Sequence, residues 1–204
     1  NGNQGLSKAY NKAIAYLRKH HLLEKNLIVL LDDDTHISDD YFKKMTIASK
    51  KNAHIFLPIV TDQQGYLSPS IMGKFRCRRC RTLKEINAKN ICGINSGMAI
   101  RGELFLHYSY DEHLFLDYVD HNFIRDMKEQ GKTILIVDTG LEQNFSSITD
   151  NYEQTYSRFQ IMYKDIKYFY SRSFSEKLAG IYVLFRRKAG IALRFKKLSI
   201  FKIH

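Results

Sequence analysis

The stretch Leu27-Ile28-Val29-Leu30-Leu31-Asp32-Asp33-Asp34 decides the fold class of this chain. Its continuous aliphatic run predicts a strand that is buried on both faces of a sheet. The run stops at three aspartates, which would therefore follow the carboxyl end of the strand. Ligands bind at that end in an open α/β sheet, so the stretch predicts both a sheet and the position of a site.

Helices and further strands alternate on both sides of this stretch. Apolar residues at helical spacing predict three helices, which begin near Ser7, Ser38 and Tyr118, and the second is expected to bury Phe42. Strands are predicted at residues 54–60, 94–100 and 133–137, a short helix at 103–107, and a long irregular connection at 61–90. The alternation predicts an α/β sheet with helices on both faces.

The composition changes after about residue 150, so residues 1–150 are expected to form one domain and residues 151–204 a basic, aromatic helical extension. Residues 171–204 contain nine Lys or Arg against one acid, within a chain of net charge +11. Such a segment indicates a phosphate-rich partner, either membrane lipid or nucleic acid. Its interleaved apolar residues suit a membrane interface, and the alternative is a helix that closes the domain with a solvated basic face.

Cys77, Cys80 and Cys92 are an odd number of cysteines and do not indicate a disulfide framework. Cys77 and Cys80 have the spacing of a zinc-binding pair, but structural zinc normally needs four clear ligands. Ordinary thiols on a basic loop are therefore the favoured interpretation. No apolar run approaches the about 20 residues that cross a bilayer, and no signal peptide is recognised. We expect a cytoplasmic protein that could contact the inner face of the plasma membrane.

The three aspartates form the first acidic cluster. Alternation along an extended segment puts Asp32 and Asp34 on one side and turns Asp33 away. Two carboxylates on one side suit Mg²⁺ or Mn²⁺, which keep open positions for phosphate oxygens. The alternative is a solvated acidic turn before the next helix. Other metal-dependent phosphoryl-transfer enzymes also place an aspartate at a strand end.

A second acidic cluster occupies residues 110–121. Asp117 and Asp120 are three residues apart, so on a helix they would share a face. A carboxylate at a helix N-terminus can be held beside an acceptor hydroxyl as a general base. The alternative is that Asp117 caps the helix and Asp120 is ordinary first-turn charge.

The two clusters belong to a longer series of motifs. In chain order the series is Asn3-Gln4-Gly5, then Leu31-Asp32-Asp33-Asp34-Thr35, Asn95-Ser96-Gly97, Tyr110-Asp111-Glu112 and Phe115-Leu116-Asp117-Tyr118-Val119-Asp120. This order resembles the inverting glycosyltransferases of family 2, which have the GT-A fold, and especially their bacterial rhamnosyltransferase-like branch. The resemblance covers about residues 1–170 and implies a Rossmann-like mixed sheet.

The resemblance implies a role for each motif in transfer from a nucleotide-sugar donor to a glycan or lipid-linked acceptor, with no nucleic acid as partner. Asp120 would be the catalytic base, and Asp34, together with Asp32, would hold a divalent cation, Mn²⁺ or Mg²⁺. The residues implied to contact the donor are Asn3, Gly5, Asp32, Asp33, Asn95, Ser96 and Gly97, and those on the acceptor side are Asp111, Glu112 and Asp117.

The chain departs from the family pattern at three places. Gln143 stands where the family usually has a His, which implies weaker or different metal binding. Val119 stands where the family often has Glu before the base, and this suits the rhamnosyltransferase-like branch. In the family, the strands that bind the nucleobase of the donor precede the Asn3-Gly5 turn, so these strands are expected to be missing here. Two rival readings are an inactive transferase-like scaffold and a basic nucleic-acid-binding module.

Overall fold

A computed structural model describes residues 2–32, 35–73, 76–143 and 151–203. The helices are α1 (Leu6–Lys19), α2 (Tyr41–Ala48), α3 (Val119–Glu129), α4 (Tyr152–Phe169) and α5 (Phe174–Phe195). The strands are β1 (Leu27–Val29), β2 (Thr35–Ile37), β3 (Ile55–Asp62), β4 (Gly65–Ser68), β5 (Ser70–Met72), β6 (Cys77–Arg79), β7 (Ile91–Cys92), β8 (Ala99–Arg101) and β9 (Ile134–Gln143). Three short 3-10 helices cover Leu83–Glu85, Gly102–Leu106 and Leu198–Lys202.

Strand β3 lies at the centre of the main sheet, whose order is β1-β8-β3-β9-β2, with β4 paired to β3. The β3–β9 pair is parallel and the other pairs are antiparallel. Ile55 and Leu57 of β3 pack into a cluster with α1, α3, α4 and α5, whereas Phe56 and Val60 pack into a second cluster with α2. Helices therefore cover both faces, and the prediction of an α/β fold with a mixed sheet is confirmed.

The predicted helix at 118–129 and the strand at 54–60 are confirmed, with small shifts at their ends. Strand β1 differs from its prediction: it ends at Val29, it is half-buried, and Leu31 is 43% exposed. The reason is its terminal position in the sheet order, where β8 is its partner among the described strands. The prediction that Phe42 is buried is also wrong, since Tyr41 packs in the core and Phe42 is exposed.

The connection at 61–90 is not irregular as predicted. It begins with the β3–β4 hairpin and continues into a small antiparallel sheet of order β6-β5-β7. Asp62 at the end of β3 pairs with the Arg79 guanidinium of β6 and so joins the two sheets. These strands have two to four residues, which is too short for an alternating pattern to be visible in the sequence.

The predicted strand at 94–100 is also wrong, because its strand β8 begins only at Ala99. Gly97 takes a left-handed conformation with φ of 75°, which interrupts an extended backbone. A Cβ atom there would lie 2.0 Å from Leu141 Cδ1. Residues 93–98 therefore form a loop that packs closely against β9.

The helices after residue 151 pack against the same core as α1 and α3. Asn151 caps α4 by accepting hydrogen bonds from two backbone N–H groups, and Ser173 caps α5 in the same way with one. Phe159 of α4 and Val183 of α5 belong to the cluster that contains Phe123 of α3. Among the described helices, none is both long and apolar enough to cross a membrane.

Candidate active site

The Asn3–Gly5 turn packs against the segment that leads into α3. Asn3 Oδ1 accepts a hydrogen bond from the Gly5 N–H at 3.0 Å, and Gly5 has a left-handed φ of 89°. A Cβ atom on Gly5 would lie 2.7 Å from Phe115 O, so this close approach requires glycine. The Leu6 N–H donates to the same oxygen at 2.6 Å. The first motif and the second acidic cluster are therefore in direct contact.

Asn11 of α1 makes a further link to this cluster. Its Nδ2 donates to Tyr110 O and to Glu112 Oε1, and its Oδ1 accepts from the Tyr110 N–H. Asp111 accepts hydrogen bonds from His113 and from the Tyr168 hydroxyl. Burial opposes ionisation of Asp111, but these hydrogen bonds lower its pKa below the ordinary value. Asp111 and Glu112 are thus held by α4 and α1 beside the segment that leads into α3.

Asp165 of α4 fixes the backbone of that segment, and the sequence reasoning missed it. Its carboxylate is 1% exposed and accepts hydrogen bonds from the backbone N–H groups of Phe115, Leu116 and Asp117, at 2.8, 2.9 and 2.7 Å. A buried carboxylate is stable only with such partners. The available signal was an acid directly beside Ile166 on the apolar face of a helical segment.

Asp120 lies in the first turn of α3, where its charge interacts favourably with the helix dipole. Its Oδ1 accepts from the His121 backbone N–H at 2.7 Å and from His121 Nδ1 at 2.6 Å. Asp117 precedes the helix, because Tyr118 takes a left-handed conformation. The expected shared helical face of Asp117 and Asp120 is therefore wrong, and Asp117 instead forms a bidentate ion pair with Arg158 of α4.

Asp117 and Asp120 nevertheless line the same cavity, which has a volume of about 270 Å³. The loop before α3 and the first turn of this helix form one wall, and α5 forms another with four side chains that include Arg186 and Arg187. Arg76 contributes a third cation. Carboxylates that could accept a proton thus face guanidinium groups that could bind an anion.

The first acidic cluster is described in part. Asp32 is exposed, and its backbone carbonyl accepts a hydrogen bond from the Thr35 N–H. Asp33 and Asp34 lie outside the described residues. Burial, together with the charges of Asp32 and Asp120, raises the pKa of Tyr10 well above its ordinary value. Both acidic clusters therefore lie within electrostatic range of one phenol on α1.

The Asn95–Gly97 loop contacts residues that precede and follow the first acidic cluster in the sequence. The Gly97 N–H donates to Leu30 O at 2.8 Å, and Ser96 Oγ lies 2.6 Å from Thr35 Oγ1. Asn95 Oδ1 is buried and has no hydrogen-bond partner within the described part of the chain. A buried acceptor without a partner is costly, so this oxygen suits contact with a ligand hydroxyl or a cation.

The chain matches no protein-family model, and it has no significant match among curated proteins. Assignment of a function therefore depends on these residues and their geometry.

Proposed function

We propose that this protein is an inverting glycosyltransferase of the GT-A type, similar to the bacterial rhamnosyltransferase-like branch of family 2. It would move a sugar from a nucleoside-diphosphate sugar to a hydroxyl group of a cell-surface glycan or a lipid-linked acceptor. The observation that carries the proposal is the position of Asp120, which lines a 270 Å³ cavity at the start of α3. The Asn3–Gly5 turn and the acceptor-side acids border the same segment of chain.

The chemistry follows from the carboxylate of Asp120. Both of its hydrogen bonds to His121 use Oδ1, so Oδ2 can accept the proton of the acceptor hydroxyl. The acceptor oxygen then forms a bond to the anomeric carbon as the bond from that carbon to the diphosphate oxygen breaks. The anomeric configuration inverts in this single displacement. The cavity arginines would hold acceptor or donor anions in place for it.

The diphosphate would bind beside the first acidic cluster and the Asn95–Gly97 loop. Asp32 and Asp34 would hold a divalent cation, which when bound supplies Lewis-acid stabilisation of the leaving diphosphate. Asn95 Oδ1 is buried and has no hydrogen-bond partner among the described residues. This supports the assignment, because amide and carboxylate oxygens are suitable ligands for Mn²⁺ or Mg²⁺.

We expect the purified protein to bind one type of nucleoside-diphosphate sugar only when Mn²⁺ or Mg²⁺ is present. Calorimetric titration of a panel of donors, with and without the cation, measures this directly. Asp32→Asn is expected to weaken binding by at least about tenfold, since a cation ligand with its full charge is lost. Asp39→Asn, an exposed aspartate outside the cluster, is the matched control.

The same titration separates the rival functions. Binding of donor without turnover in any acceptor mixture would favour the inactive scaffold. Absence of cation-dependent binding to every donor contradicts the transferase proposal. Salt-sensitive binding to DNA without any need for a divalent ion would favour the nucleic-acid-binding module.

The lipid-linked acceptor is supported by one exposed face of α5. Phe174, Leu178, Ile181, Tyr182 and Phe185 follow helical spacing and are 53–77% exposed. Cations flank this face in a segment with nine Lys or Arg, which suits a surface of anionic lipid. Tyr182 also lines the cavity that contains Asp120, so a membrane-bound acceptor would approach the base from the side where α5 contacts lipid.

We expect the protein to sediment with vesicles of mixed phosphatidylcholine and phosphatidylglycerol, and much less with phosphatidylcholine alone. The double variant Leu178→Asp, Ile181→Asp is expected to reduce binding by at least about tenfold, because it removes apolar area and adds like charge to that of the lipid. Ile47→Asp is the control, since Ile47 is 54% exposed on α2. Equal sedimentation of the double variant and this control contradicts the membrane proposal.

A further inference from the structure

Three metal-binding side chains meet beside Asp120. The ligand atoms of Cys77, Cys92 and His121 all lie within 4.8 Å of one another. Tetrahedral zinc with two thiolates and one imidazole separates its ligand atoms by about 3.5–3.8 Å, since its bonds are about 2.0–2.3 Å long. The three atoms are therefore within about 1 Å of the geometry that zinc requires.

The register of the small sheet places the two thiols on the same face. Cys77 of β6 lies opposite Met72 of β5, and Cys92 of β7 lies opposite Ser70. Residues opposite each other share a face, and residues two apart on one strand also share a face. Both thiols therefore project from one face of the sheet, and Cys92 is completely buried there.

The orientation of His121 is the one expected of a metal ligand. Its Nδ1 is engaged by Asp120 Oδ1 at 2.6 Å, which leaves Nε2 for the thiols. Histidines that bind metals usually donate their other ring N–H to a carboxylate, and this contact fixes the tautomer and the ring orientation. The side chain is 20% exposed, so the cluster borders the cavity without lying on the open surface.

We propose that Cys77, Cys92 and His121 form a zinc site with a water molecule from the adjoining cavity as its fourth ligand. Cys77 and His121 both line that cavity, which gives water access to the open position. Thiolate and imidazole ligands select zinc over Mn²⁺ or Mg²⁺, so this site is distinct from the one at the aspartates. The proposal does not depend on the glycosyltransferase function.

Lys128 and Cys80 belong to the same region but are not ligands. Lys128 of α3 donates to the backbone carbonyls of Lys89 and Ile91, which brings its ammonium group close to Cys92. Cys80 takes no part, since it is buried and its thiol donates to Pro69 O. The sequence pair Cys77 and Cys80 is thus separated, and Cys92 replaces Cys80 in the site.

A zinc ion at this position would join the small sheet to the first turn of α3. It would hold His121, and through His121 it would hold Asp120 Oδ1 in one orientation. His121 is then a positioning residue for Asp120, and the zinc ion would connect the small sheet to the cavity through it. The sequence interpretation of Cys77 and Cys92 as ordinary thiols is revised accordingly.

We expect the reduced protein, loaded with zinc sulfate and desalted, to retain one zinc ion per chain by elemental analysis. Loading with Co²⁺ instead is expected to give the visible absorption of a tetrahedral thiolate site. Cys77→Ser and His121→Gln are each expected to lose the ion during desalting. Asp120→Asn is expected to keep it with an affinity about 10- to 100-fold lower, measured by competition with a chromophoric chelator.

Cys80→Ser is the matched control, because it removes a buried thiol of the same region without removing a ligand. It is expected to retain zinc at the level of the unaltered protein. The proposal is overturned if the unaltered protein loses zinc on desalting, or if Cys77→Ser keeps the Co²⁺ absorption. A Cys77–Cys92 disulfide that persists in the reduced preparation would also overturn it. Circular dichroism of every variant shows whether loss of metal follows from unfolding.

Discussion

Asp120→Asn is expected to lower the rate of sugar transfer by about a hundredfold to ten-thousandfold, the usual contribution of a general base. An asparagine amide has the size of the carboxylate and can still accept from His121, but it cannot take the proton of a hydroxyl. Donor binding is expected to change little, because the donor residues lie at the Asn3–Gly5 turn, the aspartates and the Asn95–Gly97 loop. Steady-state assay with the donor found by titration measures the effect.

Two measurements separate this effect from a structural one. Glu129→Gln changes a carboxylate to an amide at the other end of the same helix, where the side chain is 61% exposed, and is expected to retain full activity. The loss of a favourable charge at the helix N-terminus costs about 0.3–1 kcal/mol, so Asp120→Asn should still fold. Zinc content is measured in parallel, with the assay repeated at saturating zinc. Unchanged turnover in Asp120→Asn would remove the base assignment.

Asp165→Ala is expected to destabilise the protein by at least about 3 kcal/mol, since three backbone N–H groups lose a buried acceptor at about 1–3 kcal/mol each. Those groups belong to Phe115, Leu116 and Asp117. Asp165→Asn is expected to cost less, because one oxygen remains while an amide N–H₂ faces the other donors. Urea unfolding followed by circular dichroism measures each value.

Glu153→Ala is the control for the same helix. Glu153 is 76% exposed and pairs with Lys197 at the surface, and such a pair contributes about 0–1 kcal/mol. If Asp165→Ala unfolds at the same urea concentration as Glu153→Ala, the carboxylate does not hold the loop. A folded Asp165→Ala variant is also expected to lose activity, because the loop that it releases leads directly to Asp120.

The strongest periodic patterns predicted the framework. Helix α3 and strand β3 were found from sequence because an amphipathic repeat and a continuous apolar run report burial directly. The short strands of the small sheet were missed, since two or three residues cannot show a period. The predicted core position of Phe42 was wrong by one residue, because the exact start of a helix is set by its contacts, and Tyr41 hydrogen bonds to Gly97 O.

In the candidate site, too, some residues were found from the sequence and others only from the structure. Motif order pointed to the Asn3–Gly5 turn and to Asp120, and in the structure Gly5 lies against Phe115, in the segment that leads to Asp120. No motif pointed to the contact of Asp165 with the loop before α3 or to the pairing of Asp117 with Arg158, because both contacts join segments more than 40 residues apart along the chain. The spacing of Cys77 and Cys80 in the sequence indicated these two as a metal-binding pair, whereas the structure places Cys77 and Cys92 beside His121.

The sequence by itself determined the α/β class, the strand at 54–60 and the acidic clusters, because burial and charge are properties of local composition. Only the tertiary structure decided which distant groups come into contact. The Asp165 carboxylate accepts hydrogen bonds from the loop before α3, and the thiols of Cys77 and Cys92 lie beside the ring of His121. Such meetings depend on strand register and helix packing, which are set by the whole core. The aspartates at the end of the first aliphatic run pointed to a site, and the fold decided what surrounds it.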